Sequence, residues 1–208
     1  MPIDRSTLRG GQAALLLAGL LFVLYPTVRP YGDADPATAA AAFASGAWLL
    51  AHLSAVVGFI LLPLGLIAVR AVTGRGATAG AAFVVTWIGA GLVLPYYGAE
   101  VFALHAVGRA GGPLTLVDAI RNGPVQITEF GVGLLLLAVG TVLAAVAVWR
   151  SGVLARWSAV PLAAGFVLFL PQFYAPPALR IAHGVLVAVG CFLLAAELGR
   201  ARISVPQH

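Results

Sequence analysis

Among the ionisable side chains inside the long apolar runs of this 208-residue chain are His52, His105 and His183, with Glu100 and Glu129. Such groups are costly within a membrane and as a rule face the protein interior or a watery cavity. Glu100 is followed by Val101, Phe102, Ala103 and Leu104, so it lies within its helix, not beyond it. Pro95 removes a backbone donor one turn earlier, frees the Gly91 carbonyl and predicts a kink. Tyr96 and Tyr97 stand at i−4 and i−3 from Glu100 and share its face. No arginine stands on that face, and a buried carboxyl without a counter-charge is expected to be protonated, which suits a general acid. His52, among Leu50, Ala51 and Leu53, and His183, at similar depth, are its expected catalytic partners, because a buried imidazole needs a hydrogen-bond partner, a metal or a cofactor. His105 is about 140° around the helix from Glu100 and faces another helix or the outer loop.

Residues expected to bind substrate surround these three. Trp48 is one turn before His52, Tyr96 and Tyr97 flank Glu100, Glu129 and Gln172 sit at the rim, and Tyr174 ends the fifth apolar run. Each has a plainer reading beside the functional one. Tyr and Trp form belts at membrane interfaces, Glu129 suits the first turn of a helix, and Arg29, Arg109 and Arg180 fit among head groups or pair with Asp33, Asp35 or Asp118.

The elements that must position this set follow from composition. The chain is 61% hydrophobic and 9% charged, which excludes a soluble domain and a disordered chain and leaves an integral membrane protein. Its net charge of +5 comes from twelve arginines that punctuate the ends of apolar segments without forming a stripe, so they report membrane orientation and no nucleic-acid partner. Cys191, the single cysteine, excludes an intrachain disulfide and a thiolate metal site.

Six apolar runs, near 11–29, 45–71, 79–108, 127–150, 155–173 and 178–199, predict an all-α polytopic bundle of about six transmembrane helices forming one membrane domain. The first run, preceded by Arg5 and Arg9, also fits a cleaved signal peptide. With both termini cytoplasmic, Arg5, Arg9, Arg70, Arg75, Arg150, Arg156, Arg200 and Arg202 lie inside, and Arg29, Arg109, Arg121 and Arg180 outside. All candidate site residues then gather at the outer ends, and His208 falls in the polar tail. Asp35-Pro36 starts a helix that reads without a stop into the second span. A continuous helix over 36–71 would measure roughly 54 Å against about 30 Å of hydrocarbon. Residues 113–121 predict a short interfacial helix with Thr115 and Asp118 as a capping box and Leu114, Leu116, Val117 and Ile120 as its apolar face.

The Asp33–Asp35 loop, leading into an alanine-rich helix with Trp48 and His52, resembles a broad group of multi-pass membrane proteins of high-GC bacteria over about 30 residues. The resemblance implies a multi-pass build in the cell membrane and no particular activity.

Three functions compete at this level. The favoured one is a membrane-embedded enzyme acting on a hydrophobic small molecule, lipid or isoprenoid-like, by acid–base chemistry such as cyclisation or isomerisation. The alternatives are a haem- or metal-binding redox protein using His52 and His183 as the ligand pair, and a small transporter or accessory subunit. No motif identifies a metal site, a cofactor or an oligomeric state.

Overall fold

The computed structural model describes residues 4–74 and 76–203, without the side chains of 202 and 203; Arg75, the Arg202 side chain and His208 lie outside the described residues. Among the described residues there is no strand. The described residues form nine α-helices in chain order: α1 Arg5–Val28, α2 Ala39–Ala44, α3 Gly46–Thr73, α4 Ala77–Gly98, α5 Leu104–Ala110, α6 Thr115–Asn122, α7 Pro124–Ser151, α8 Val160–Val167 and α9 Pro177–Ile203. A π-helical turn, Ala99–Ala103, joins α4 to α5, and short 3-10 helices occupy Tyr31–Ala34 and Pro171–Tyr174.

Five helices are long and apolar enough to cross a membrane: Arg5–Val28, Gly46–Thr73, Ala77–Ala110, Pro124–Ser151 and Pro177–Ala201. They cover five of the six apolar runs. The run near 155–173 contains α8 and flanking turns, with Pro161 and Pro171 limiting the regular helix. Its two ends are tied to opposite ends of α9. The Ala155 amide donates to Glu197 Oε2 at 2.8 Å, and Arg180 donates through Nε to the Ala175 carbonyl at 2.9 Å and through Nη2 to the Phe173 carbonyl.

Packing closes these elements into a ring in the order α1, α3, α4, α7, α8, α9 and back to α1. Apolar surface drives little helix association in lipid, where close backbone approach matters more. The α4–α7 contact shows this. A Cβ added at Gly89 would stand 2.8 Å from the Gly133 carbonyl oxygen, and one at Gly133 would stand 3.0 Å from the Gly89 oxygen. Aromatic rings fill the centre: Phe22 meets Phe59 and Phe166 edge-on, Phe59 meets Tyr97, and Tyr97 meets Phe130, which reaches Phe173.

One end of the ring carries a lid of short elements. The expected continuous helix over 36–71 is broken: Ser45 is extended (φ −76°, ψ 149°), and its hydroxyl accepts the Trp48 amide at 3.1 Å as an N-cap. That break turns α2 across the end of the bundle and onto α5. Gly108 permits the contact, because a Cβ there would lie 2.7 Å from the Ala44 nitrogen and 2.8 Å from the Ala40 oxygen. The short helix expected over 113–121 forms as α6. Its Leu114, Val117 and Ile120 pack on the buried Ala39, Phe43, Trp48 and Leu104. Leu116 points outward instead, and the capping box does not form: Thr115 makes no cap, while Asp118 accepts from the Asn122 amide at 2.6 Å.

Candidate functional site

The π turn sets the geometry beneath this lid. Leu104 donates to the Ala99 carbonyl five residues back, and the widened turn carries Glu100 with its carbonyl available to a partner outside the helix. The indole of Trp48 takes that place, donating from Nε1 to the Glu100 carbonyl at 2.6 Å. The proline kink expected from Pro95 is thus expressed one turn later, as a wound-out segment pinned by α3.

The Glu100 side chain is buried and paired. Arg121, at the end of α6, donates from Nε to Oε1 at 2.6 Å and from Nη2 to Oε2 at 2.8 Å. The same Nη2 lies 3.0 Å from Asp33 Oδ2, which in turn accepts from Arg29 Nη2 at 2.7 Å. Four charges of alternating sign therefore run in a chain, Arg29–Asp33–Arg121–Glu100, with side-chain exposures of 9, 9, 17 and 7%. Burial works against the charge on Arg121, and the hydrogen bond and negative charge of Glu100, with Asp33 behind it, more than offset this and hold the guanidinium above its ordinary pKa. Both arginines also stand over Trp48, at 5.4 and 5.5 Å from its ring centroid.

His52 completes the arrangement. Its Nδ1 is 2.9 Å from the Trp48 carbonyl, which can only accept, so Nδ1 carries the proton. In the neutral ring Nε2 is then an open acceptor, and it faces Glu100 Oε2 at 3.7 Å. Two acceptors at that distance cannot hydrogen-bond each other, and both residues line the cavity, so a ligand donor can reach them only from the cavity side and off their line.

These groups line a cavity of about 550 Å³ at the lidded end. Arg29, Arg121, Arg180, His52 and Glu100 give it one charged wall. Tyr25, Tyr96, Tyr97, Phe130 and Phe173 form its aromatic side, and Ile127, Leu170 and Tyr174 reach the outer surface of the bundle. The Tyr97 hydroxyl is buried without a hydrogen-bond partner among the described residues, and Tyr96 stacks on Phe130 at 4.1 Å.

Comparison with known protein families, curated proteins and solved structures finds no match. The site is therefore read from its geometry.

Of the expected site residues, the structure brings His52, Glu100, Tyr96, Tyr97 and Tyr174 to this cavity, with Trp48 directly behind His52 at 4.0 Å between ring centroids. It corrects two expectations. Glu100 does have an arginine partner. Arg121 arrives from a helix 21 residues downstream and takes both carboxyl oxygens in hydrogen bonds. His183 is not its partner: Nε2 is bonded to the Gly165 carbonyl at 2.7 Å, the ring stands edge-on to Phe169, and the residue lines a separate small recess with Gln172. His52 and His183, expected as a ligand pair for a haem or metal, each have one ring nitrogen on a backbone carbonyl, of Trp48 and Gly165 respectively. Glu129 does not line the cavity, and His105 is occupied by the Phe43 carbonyl at 2.8 Å. Among the described residues no group of three His, Cys, Asp or Glu could hold a metal ion.

The cavity residues not among the expected site residues are Tyr25, Arg29, Arg121, Asn122, Ile127, Phe130, Gly131, Leu170, Phe173 and Arg180. One signal for Arg29 was local, since Arg29 and Asp33 are spaced i, i+4 and do pair. Nothing local signals that Arg121 reaches Glu100.

Proposed function

We propose that this chain is a polytopic membrane protein whose lidded cavity performs acid–base chemistry on an amphiphilic small molecule. The observation that carries this reading is the neutral His52, with Nε2 open toward the cavity and a carboxylate 3.7 Å beyond it. In the proposed step Nε2 removes a proton from a ligand O–H or activated C–H, and Glu100 stabilises the imidazolium that forms. Return of the same proton elsewhere on the molecule completes an isomerisation or cyclisation with no other reactant. Glu100 serves here as an electrostatic partner, because Arg121 engages both its oxygens. The apolar wall and the outward-reaching Ile127, Leu170 and Tyr174 support entry from the lipid side.

Purified protein incubated in deuterated water with total membrane lipid extract tests this reading. One lipid class should gain deuterium or rearrange with the wild type and stay unchanged with His52→Gln. A lipid profile identical for wild type, His52→Gln and a no-protein control would refute the chemistry.

The proposal includes six membrane crossings with both termini cytoplasmic, in the cell membrane. The attachment of 155–175 to residues 180 and 197 of α9 supports a sixth crossing, since 17 helical residues span about 25 Å. The eight-to-four arginine distribution supports the orientation. Single cysteines at the exposed Ala77, Ala110, Val153 and Ala178 test it in intact cells. Ala110 and Ala178 should label with an impermeant maleimide, and Ala77 and Val153 should label only after lysis. Labelling of Val153 and Ala178 from one side would restrict the chain to five crossings. The native Cys191 is fully buried and should contribute little background.

A further inference from the structure

The charges lining the cavity do not balance. Arg29, Arg121 and Arg180 face Glu100, with Asp33 behind, which leaves one cation in excess. Asp35 does not compensate; it is exposed and accepts the Ala37 amide at 2.9 Å. Arg121 is committed to both acids. Arg180 donates only to neutral acceptors, the Phe173 and Ala175 carbonyls, and makes no ion pair among the described residues. Arg29 spends Nη2 on Asp33, while its buried Nε has no partner among the described residues. Both guanidiniums stand over one ring, with their central carbons 5.4 Å (Arg29) and 5.5 Å (Arg180) from the Tyr31 centroid. Two cations gathered on one aromatic in a largely dehydrated wall repel each other unless an anion joins them.

We infer that the Arg29–Arg180 end of the cavity binds the oxyanion of an amphiphile, a carboxylate or phosphate on a long apolar chain, with the chain lying along Tyr96, Phe130, Phe173 and Leu170. The guanidinium of Arg29, which lines the cavity, and the uncompensated charge of Arg180 supply the anion's donors. The aromatic wall accepts the chain, which leaves the bundle sideways past Ile127, Leu170 and Tyr174, all surface-exposed. Oriented this way, the first part of the chain passes His52 and Tyr97. This inference names the substrate class for the acid–base site proposed above and rests on that reading only for the reaction.

Calorimetric titration in an uncharged detergent tests it. Oleyl phosphate and oleate should bind, and oleyl alcohol should bind about 10- to 100-fold more weakly, the range expected for charge-assisted hydrogen bonds. Arg180→Gln should reduce oleyl phosphate affinity by a similar factor and leave oleyl alcohol binding unchanged. Arg109→Gln, at an exposed position outside the cavity, should change neither. Dioleoyl phosphatidate distinguishes the source: tight binding assigns the site to a membrane phospholipid, and weak binding with tight oleyl phosphate assigns it to a single-chain metabolite. Oleyl alcohol binding as tightly as oleyl phosphate overturns the inference without any variant. Inorganic phosphate binding as tightly as oleyl phosphate overturns the amphiphile requirement. If the neutral chain binds equally well while lipid turnover still depends on His52, this inference falls and the acid–base reading stands. If oleyl phosphate binds and no lipid is ever converted, the reverse holds.

Discussion

Arg121→Ala is expected to destabilise the protein by about 3–5 kcal/mol, the typical cost of removing one member of a buried ion pair. Four charges alternate in sign along the Arg29–Asp33–Arg121–Glu100 chain, so deleting Arg121 leaves two carboxylates facing one arginine. Glu100 would then stand 3.7 Å from a neutral imidazole acceptor with neither of its oxygens satisfied. The double variant Arg121→Leu/Glu100→Gln removes one charge of each sign and leaves Arg29–Asp33 intact. It should recover most of the lost stability, because replacing an entire buried pair is often neutral. Thermal unfolding in detergent of Arg121→Leu, Glu100→Gln and the double variant measures the coupling directly. Additive losses would show that Arg121 and Glu100 do not act as a pair, and the site would have to be redrawn around another counter-charge.

The second large effect is expected at Trp48. This residue donates to the Glu100 carbonyl, carries His52 against its ring, and lies beneath two guanidiniums. Trp48→Ala should cost about 3–5 kcal/mol through the void left between lid and bundle. Trp48→Phe keeps an aromatic ring in place but loses the indole N–H along with part of the bicyclic ring, leaving the Glu100 carbonyl unpaired at a cost of about 1–3 kcal/mol besides a smaller void. Chemical denaturation should rank Trp48→Ala as the more costly of the two. Hydrogen exchange at Ala99–Leu104 should rise in Trp48→Phe, because the π turn loses its external clamp. Unchanged exchange there would mean that the turn holds itself in place.

The membrane elements were legible because length and hydropathy alone select them. Five of the six apolar runs became helices long enough to cross, and the sixth holds only the short α8 among turns, with Pro161 and Pro171 near its ends. His52, Tyr97 and Glu100 were legible as a group for a related reason: polar side chains inside apolar runs have few places to go. What escaped the sequence depends on long-range contact. Ser45 looked passable in an alanine-rich stretch, and only the packing of α2 on Gly108 makes the break there profitable. Arg121 read as an interfacial charge, yet the amphipathic docking of Leu114, Val117 and Ile120 on Phe43 and Trp48 carries it to Glu100. His183 was misplaced because sequence gives depth along a helix but not which neighbour a face meets, and the neighbour proved to be the Gly165 carbonyl.

The π turn at Ala99–Ala103 has a further consequence when regarded as one surplus residue in a helix. Each helical residue advances the chain by about 100° of rotation, so a single insertion re-indexes everything beyond it while leaving α4, before the turn, unchanged. Upstream of the turn, α4 presents Tyr97 to the cavity; downstream, α5 presents His105 to the Phe43 carbonyl and Gly108 to α2. The two faces answer to different partners and are reconciled by that one extra residue. Loss of a single codon within this turn would swing Gly108 away from α2 by about a quarter of a revolution, undocking the lid while sparing the bundle. The enclosure of the cavity is in this sense a one-residue trait, open to gain or loss in a single mutational event.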